Sequence, residues 1–269
     1  MTTMLPHLSA DMLREGWVKP AMFYMLPETV GKLAFNHLSP SDTRLRRAGH
    51  TFWVEDDNTR MYLTGVQDAV RFYHASPTSR ITDVREKYEM VGFCEIEPGD
   101  DVVDVGAFIG EFSKAAAHSG NQVWAIEPDS RSYKIAKRNL ATYRNVLVTN
   151  TLITHENAPI NYNLAVDGSE SSLSTPDYGP SRRTLEMMGI RLDEWGSNID
   201  IGFLKVDVEG HEVDVLRGLG DLRPNKISVD CSEPDTDGKS PINRVEHELR
   251  TRGYDIERDD EASHVYARL

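Results

Sequence analysis

From Pro98-Gly99 onward, short apolar runs alternate with stretches whose apolar residues recur at helical spacing: DVVDVG, EFSKAAAHSG, QVWAIE, DSRSYKIAKRNLATY and NVLVTN. Runs this short, separated by helices, belong to a parallel sheet covered by helices on both faces. IDIGFLKVDVEGHEVDVLRGL (199–219) continues the pattern, with a strand over roughly Ile201 to Val206 and a helix marked by Val213, Leu216 and Leu219. Before residue 96 the texture differs. HTFWVEDDNTRMYL (50–63) alternates like a hairpin turning at Asp57-Asn58, and VQDAVRFYH and DVREKYEMVGFC carry helical spacing. The pattern predicts an N-terminal α+β cap over 1–95 and an α/β domain over 96–269.

With 269 residues, 39% of them hydrophobic, the chain can bury one sizeable core. Two cysteines, Cys94 and Cys231, form neither a disulfide framework nor a metal-ligand spacing, so a reducing, cytoplasmic setting is expected. A formal net charge of -13 disfavours nucleic acid. The 21 Arg against 9 Lys, with Asp slightly exceeding Glu, resemble salt-adapted surfaces. No window is long and apolar enough to span a membrane. Residues 19–38 are apolar with two prolines; packing is the preferred role, and peripheral membrane contact is the alternative. Oligomeric state is not legible.

Two strand ends carry candidate chemistry. In DVVDVGAFIGEFS (101–113), Asp104 closes an apolar strand and Gly106, Ala107 and Gly110 form the turn into a helix, where the backbone can approach a ligand closely. AIEPD (125–129) then places Glu127 and Pro128 at the end of the next strand, at an interval suited to gripping ribose hydroxyls. The glycine spacing is not Gly-x-Gly-x-x-Gly, and an acid before the turn would repel a pyrophosphate. S-adenosylmethionine (AdoMet), which has a ribose and a sulfonium but no phosphate, fits this pair better than NAD. The second strand end, Asp207 to His211, lies where open α/β sheets build their ligand crevice. Glu212 and Asp214 are expected on the solvated side or in the first turn of the following helix.

These segments, YE at 88–89, PGDDVVDVGAFIGEFS at 98–113, AIEPD at 125–129 and above all LKVDVEGHEVDVLRGL at 204–219, resemble the FkbM family of AdoMet-dependent methyltransferases over residues 88–268. The resemblance implies a Rossmann-like, seven-stranded and mostly parallel sheet. Its fifth strand would be KISVDCSE, its last helix INRVEHELRTRGY, and its C-terminal antiparallel hairpin YDIER with HVYARL, turning at Asp259-Asp260. It further implies that Asp104, Gly106, Gly110 and Glu127, with Ala107 and Pro128 beside them, bind AdoMet, that Asp207 and Glu209 line the active-site mouth, and that the acceptor is a hydroxyl of a sugar, glycan or related small molecule. Two departures stand out. Leu152 occupies the place of an expected alanine, and the Ser-rich stretch 167–183 is either an acceptor loop or a plain polar surface loop.

A hydroxyl nucleophile needs a general base or a metal ion. Asp207, Glu209 and His211, with Glu233 on the neighbouring strand, are the base candidates. The same four residues suit Mg²⁺ or Mn²⁺, but a side-chain base is favoured over a divalent metal. A non-catalytic nucleotide-binding module and an NAD-dependent oxidoreductase remain as alternatives.

Overall fold

The computed structural model describes residues 28–39, 42–73, 75–119, 122–165, 171, 181–234 and 238–269. The chain divides into two compact units, Met1–Asp83 and Val84–Leu269. Of the apolar segment 19–38, residues 19–27 lie outside the described residues.

The first unit contains helix α1 (Glu28–Leu38), strands β1 (Arg44–Ala48), β2 (Thr51–Glu55) and β3 (Arg60–Leu63), and helix α2 (Val66–Phe72). The strands form an antiparallel meander. The expected hairpin is present because Asp56 fixes its turn: Oδ1 accepts from the amides of Asn58 (2.9 Å) and Thr59 (2.7 Å). Leu45, Phe52, Val54, Met61 and Leu63 are buried, as the period of two requires. Asn36 pins α1 to this sheet, accepting from the Leu45 amide at 2.7 Å and donating to the Leu45 carbonyl at 3.2 Å. Helix α3 (Pro77–Tyr88) crosses from the first unit into the second.

The second unit is built on a seven-stranded sheet. Its elements are β4 (Asp101–Val105), α4 (Glu111–Ala117), β5 (Val123–Ile126), α5 (Ser130–Asn139), β6 (Val146–Thr149), β10 (Ile201–Val206), α7 (Glu212–Arg217), β11 (Lys226–Asp230), α8 (Ile242–Thr251), β12 (Asp255–Asp259) and β13 (His264–Arg268). The strand order is β12-β13-β11-β10-β4-β5-β6. Only β13 runs antiparallel to its neighbours. The closing hairpin turns where expected, with Asp259 Oδ1 accepting from the amides of Glu261 (3.0 Å) and Ala262 (2.9 Å). The chain runs outward from β4 through β5 to β6, then returns to place β10 and β11 on the other side. That reversal opens a crevice at the carboxyl ends of β4 and β10.

Between β6 and β10 lies a second sheet that the sequence analysis did not assign: β7 (Leu152–Thr154), β8 (Pro159–Ala165) and β9 (Ser181–Arg191) in the order β7-β9-β8, followed by the short helix α6 (Leu192–Trp195). Leu152, Tyr162 and Leu164 form its small core. Leu152, the departure from the expected alanine, is thus a packing residue of this sheet.

Candidate active site

The turn after β4 is left-handed at Gly106 (φ 82°), Phe108 (φ 48°) and Gly110 (φ 89°). A Cβ on Gly106 would sit 1.7 Å from the carbonyl oxygen of Asp207, so the two loops at the crevice meet backbone to backbone there. The Gly106 and Ala107 amides both donate to the Ile126 carbonyl at 3.0 Å, fastening the turn to the end of β5.

Glu127 follows β5 directly and is buried. Its Oε2 accepts from the Phe108 amide (2.8 Å) and its Oε1 from the Asp129 amide (2.7 Å). Burial, reinforced by the neighbouring Asp129 charge, pushes its carboxyl up to about 8, against the pull of those two amides. The Glu127 and Pro128 carbonyls are both held by Asn150 Nδ2 at 2.8 Å. Asp129 caps α5 by accepting from the Arg131 amide (2.8 Å), which fixes where the helix begins.

Asp104 has no exposed surface. Lys205 Nζ lies 2.9 Å from its Oδ1, and Ser113 Oγ donates to its Oδ2 at 2.6 Å. Lys205 is therefore a buried counter-charge. It also donates to the Gly106 carbonyl at 2.7 Å and lies 3.9 Å from Asp207 Oδ2. Burial opposes its charge, but Asp104 and then Asp207 raise its pKa. Asp207 keeps a quarter of its side-chain surface exposed, and its Oδ2 accepts a hydrogen bond from the Tyr88 hydroxyl. Burial pushes its carboxyl up, but Lys205, Lys87 and the Tyr88 hydroxyl outweigh that and hold it below the usual value.

Glu209 follows with left-handed backbone (φ 56°), and Gly210 continues at φ 97°. Burial, and then the charges of Asp207, Glu233 and Asp230, raise its carboxyl well above the ordinary range. The loop is wrapped around Glu212, whose Oε1 accepts from the amides of Gly210 (2.9 Å) and Val208 (3.4 Å). Glu212 stands in the first turn of α7 but is buried rather than solvated, because it faces its own loop. Burial pushes it up to about 8. His211 occupies the N-cap of α7, its Nδ1 3.3 Å from Asp214 Oδ2. Glu209 thus lies within electrostatic reach of Asp207 and Glu233, and His211 is tied to the helix start.

Sequence reasoning gave no role to several residues that shape this site. Tyr88 lies under both Lys87 and Lys205 (5.0 and 5.1 Å from its ring) and against Phe112 and His264. Lys87 pairs with Asp230 at the end of β11. His264 is buried on Ser228 (2.8 Å), and burial with Lys87 pushes it down to about 3, leaving it neutral. The detectable signal was a lysine inside a fully apolar strand, since a buried lysine requires carboxylates beside it.

The Methyltransferase FkbM domain matches residues 104–256, more than half of the chain. The chain belongs to the FkbM methyltransferase family. Its cofactor is AdoMet, which sets aside the NAD-dependent reading. Solved structures similar to this FkbM protein include three methyltransferase-fold chains. Precorrin-6y C5,15-methyltransferase from Geobacter metallireducens is 13% identical, with 70% of this chain and 86% of that one covered and a TM-score of 0.40. A SAM-dependent methyltransferase from Aquifex aeolicus is also 13% identical, covering 74% and 92%, with a TM-score of 0.40. TYW2 from M. jannaschii in complex with AdoMet is 12% identical, covering 84% and 90%, with a TM-score of 0.42. No curated protein matches the chain.

The donor set fits AdoMet. Each Glu127 oxygen takes one backbone amide and keeps a lone pair for a ribose hydroxyl. Asp104, expected beside the positive end of the cofactor, is already neutralised by Lys205, and the partly exposed anion at the crevice is Asp207. Among the described residues, no group of three or more His, Cys, Asp or Glu is arranged to hold a metal ion. No described helix is long and apolar enough to cross a membrane.

Proposed function

We propose that the protein methylates a hydroxyl oxygen of a sugar, glycan or related small molecule. In this reading residues 96–269 are the AdoMet-binding catalytic domain and 1–95 an accessory region. The observation that carries the reading is the partly exposed Asp207 carboxylate at the crevice, beside Lys205 and hydrogen-bonded by the Tyr88 hydroxyl, with Glu209, Glu233 and Asp230 adding negative charge within electrostatic reach. Carboxylates accept hydrogen bonds from hydroxyl groups and repel phosphate backbones, so this mouth suits a polyol rather than a nucleic acid.

Methyl transfer is an in-line displacement, so placing the nucleophile supplies much of the rate. The bound cofactor supplies an electrophilic methyl group. Glu127 and Pro128 on one side, and the turn Gly106, Ala107 and Gly110 on the other, hold it. Asp207 is kept ionised by Lys205 and Tyr88 and lines the mouth as a fixed negative charge. Glu209, whose carboxyl is raised by burial and by the charges of Asp207 and Glu233, is the stronger base of the carboxylates once ionised and is assigned to take the hydroxyl proton as the oxygen attacks. His211, engaged by Asp214, is assigned a supporting part at the helix start. A cytoplasmic setting suits Cys94 and Cys231, both free and buried.

The test is methyl transfer from isotopically labelled AdoMet to a panel of mono- and oligosaccharides, with polyols and RNA alongside. The proposal expects label on a hydroxyl acceptor and loss of at least about a hundredfold in turnover for Glu209→Gln. Label on RNA alone, or full activity in the variant, would refute it.

A further inference from the structure

Ser171 lies in the Ser-rich stretch between β8 and β9, outside the seven-stranded sheet. It is nevertheless buried, and its hydroxyl and carbonyl together make three hydrogen bonds. Its hydroxyl donates to Asp129 Oδ2 at 3.0 Å and accepts from the Ala165 amide at 2.9 Å. Its carbonyl accepts from the Tyr162 hydroxyl at 2.6 Å. Asp129 in turn donates its amide to Glu127 Oε1 at 2.7 Å. A continuous hydrogen-bonded path therefore leads from the small sheet, through Ser171 and Asp129, to the acid expected to grip the ribose.

Asp129 has no exposed surface. A buried carboxylate is costly without donors, so each one it has helps to fix its position. Tyr162 belongs to the core of the small sheet and lies within electrostatic reach of Glu127, Asp129 and Glu209. Its phenol is fixed by its hydrogen bond to the Ser171 carbonyl.

We propose that Ser171 is a positioning residue of the cofactor site, acting through Asp129 on Glu127, and that it couples the small sheet, through Tyr162, to occupancy by the adenosyl group. The inference rests on AdoMet being the cofactor and is independent of the acceptor. It gives Ser171 a role on the cofactor side of the site.

The experiment uses the full-length protein with S-adenosylhomocysteine as the probe, read by calorimetric titration and by amide hydrogen exchange over residues 159–165 and 181–191. In the native protein the probe slows exchange in both strands. Ser171→Ala binds about tenfold more weakly, the loss of one charge-assisted hydrogen bond. It also loses the probe-induced protection of β8 while the exchange of β4 and β10 is retained. Should Ser171→Ala not fold, Tyr162→Phe removes only the bond to the Ser171 carbonyl and is expected to abolish the same protection. Protection of β8 that is absent in the native protein, or equal in native and variant proteins, overturns the proposal. Failure of the native protein to bind the probe at all would overturn the cofactor assignment as well, and the titration separates the two outcomes.

Discussion

The hydroxyl of Tyr88, in the last turn of α3, donates to Oδ2 of Asp207, in the loop after β10. Residues far apart in the chain thereby share one ionisable group. The ring of Tyr88 is itself held between two lysine ammonium groups and two aromatic neighbours, so the donor has little freedom to leave.

Replacing Tyr88 by Phe keeps that packing and removes only the donor. One of the interactions holding the Asp207 carboxyl low is then gone, so its pKa rises. Asp207 must be ionised to serve as a fixed negative charge, and its protonation at low pH switches the site off. Glu209, the proposed base with the raised carboxyl, sets the upper part of the acid limb of the pH–rate profile; the further steepening at lower pH, where Asp207 also takes a proton, is expected to move to higher pH in Tyr88→Phe, with turnover lowered by about tenfold at neutral pH. A profile superimposable on that of the native protein would show that the bond has no catalytic consequence.

Lys205 and Asp104 form an ion pair with almost no exposed surface. Removing one partner leaves an uncompensated charge inside a central strand. Lys205→Met is expected to cost about 3 to 5 kcal/mol in urea unfolding, and Lys205→Met with Asp104→Asn less than the single change. A single variant as stable as the native protein would mean that the pair contributes no structural constraint.

Glu212 makes a prediction about pH. Burial lifts its carboxyl to about 8 in the folded protein, against an ordinary 4.5. Between those values the unfolded chain has released a proton that the folded chain keeps, so each rise in pH favours unfolding. Its stabilising contribution is complete below the lower value and gone above the upper one, changing by about 1 kcal/mol per pH unit between them. Glu212→Gln keeps an acceptor for the Gly210 amide but cannot titrate. Melting temperatures measured from pH 5 to pH 8 should fall more steeply for the native protein than for the variant, and parallel curves would refute the assignment.

The parts of this account legible in the sequence are those written locally. Apolar strands ending in Asp104, Glu127 and Asp207 announced the crevice, Gly106 announced the close approach of two loops, and Asp259-Asp260 announced the last turn. The small sheet was missed although Ile160, Tyr162 and Leu164 alternate and Leu185 and Met187 do the same, because the Ser-rich residues between them drew the reading toward a loop. Glu212 stands in the first helical turn, one of the two places expected, but its burial was not legible, because a glutamate there reads as solvated unless its loop is known to fold over it. Contacts such as Tyr88 with Asp207 and Ser171 with Asp129 depend on tertiary packing, which no local spacing encodes.

The most direct test of the central claim, that this is an AdoMet-dependent enzyme gripping its cofactor through Glu127, is calorimetric titration of the native protein and Glu127→Ala with S-adenosylhomocysteine. The account predicts micromolar binding by the native protein and at least about a tenfold loss in the variant, since the Glu127 carboxyl would hydrogen-bond the ribose hydroxyls. Absence of binding by folded native protein, or equal affinity in the two, would contradict it.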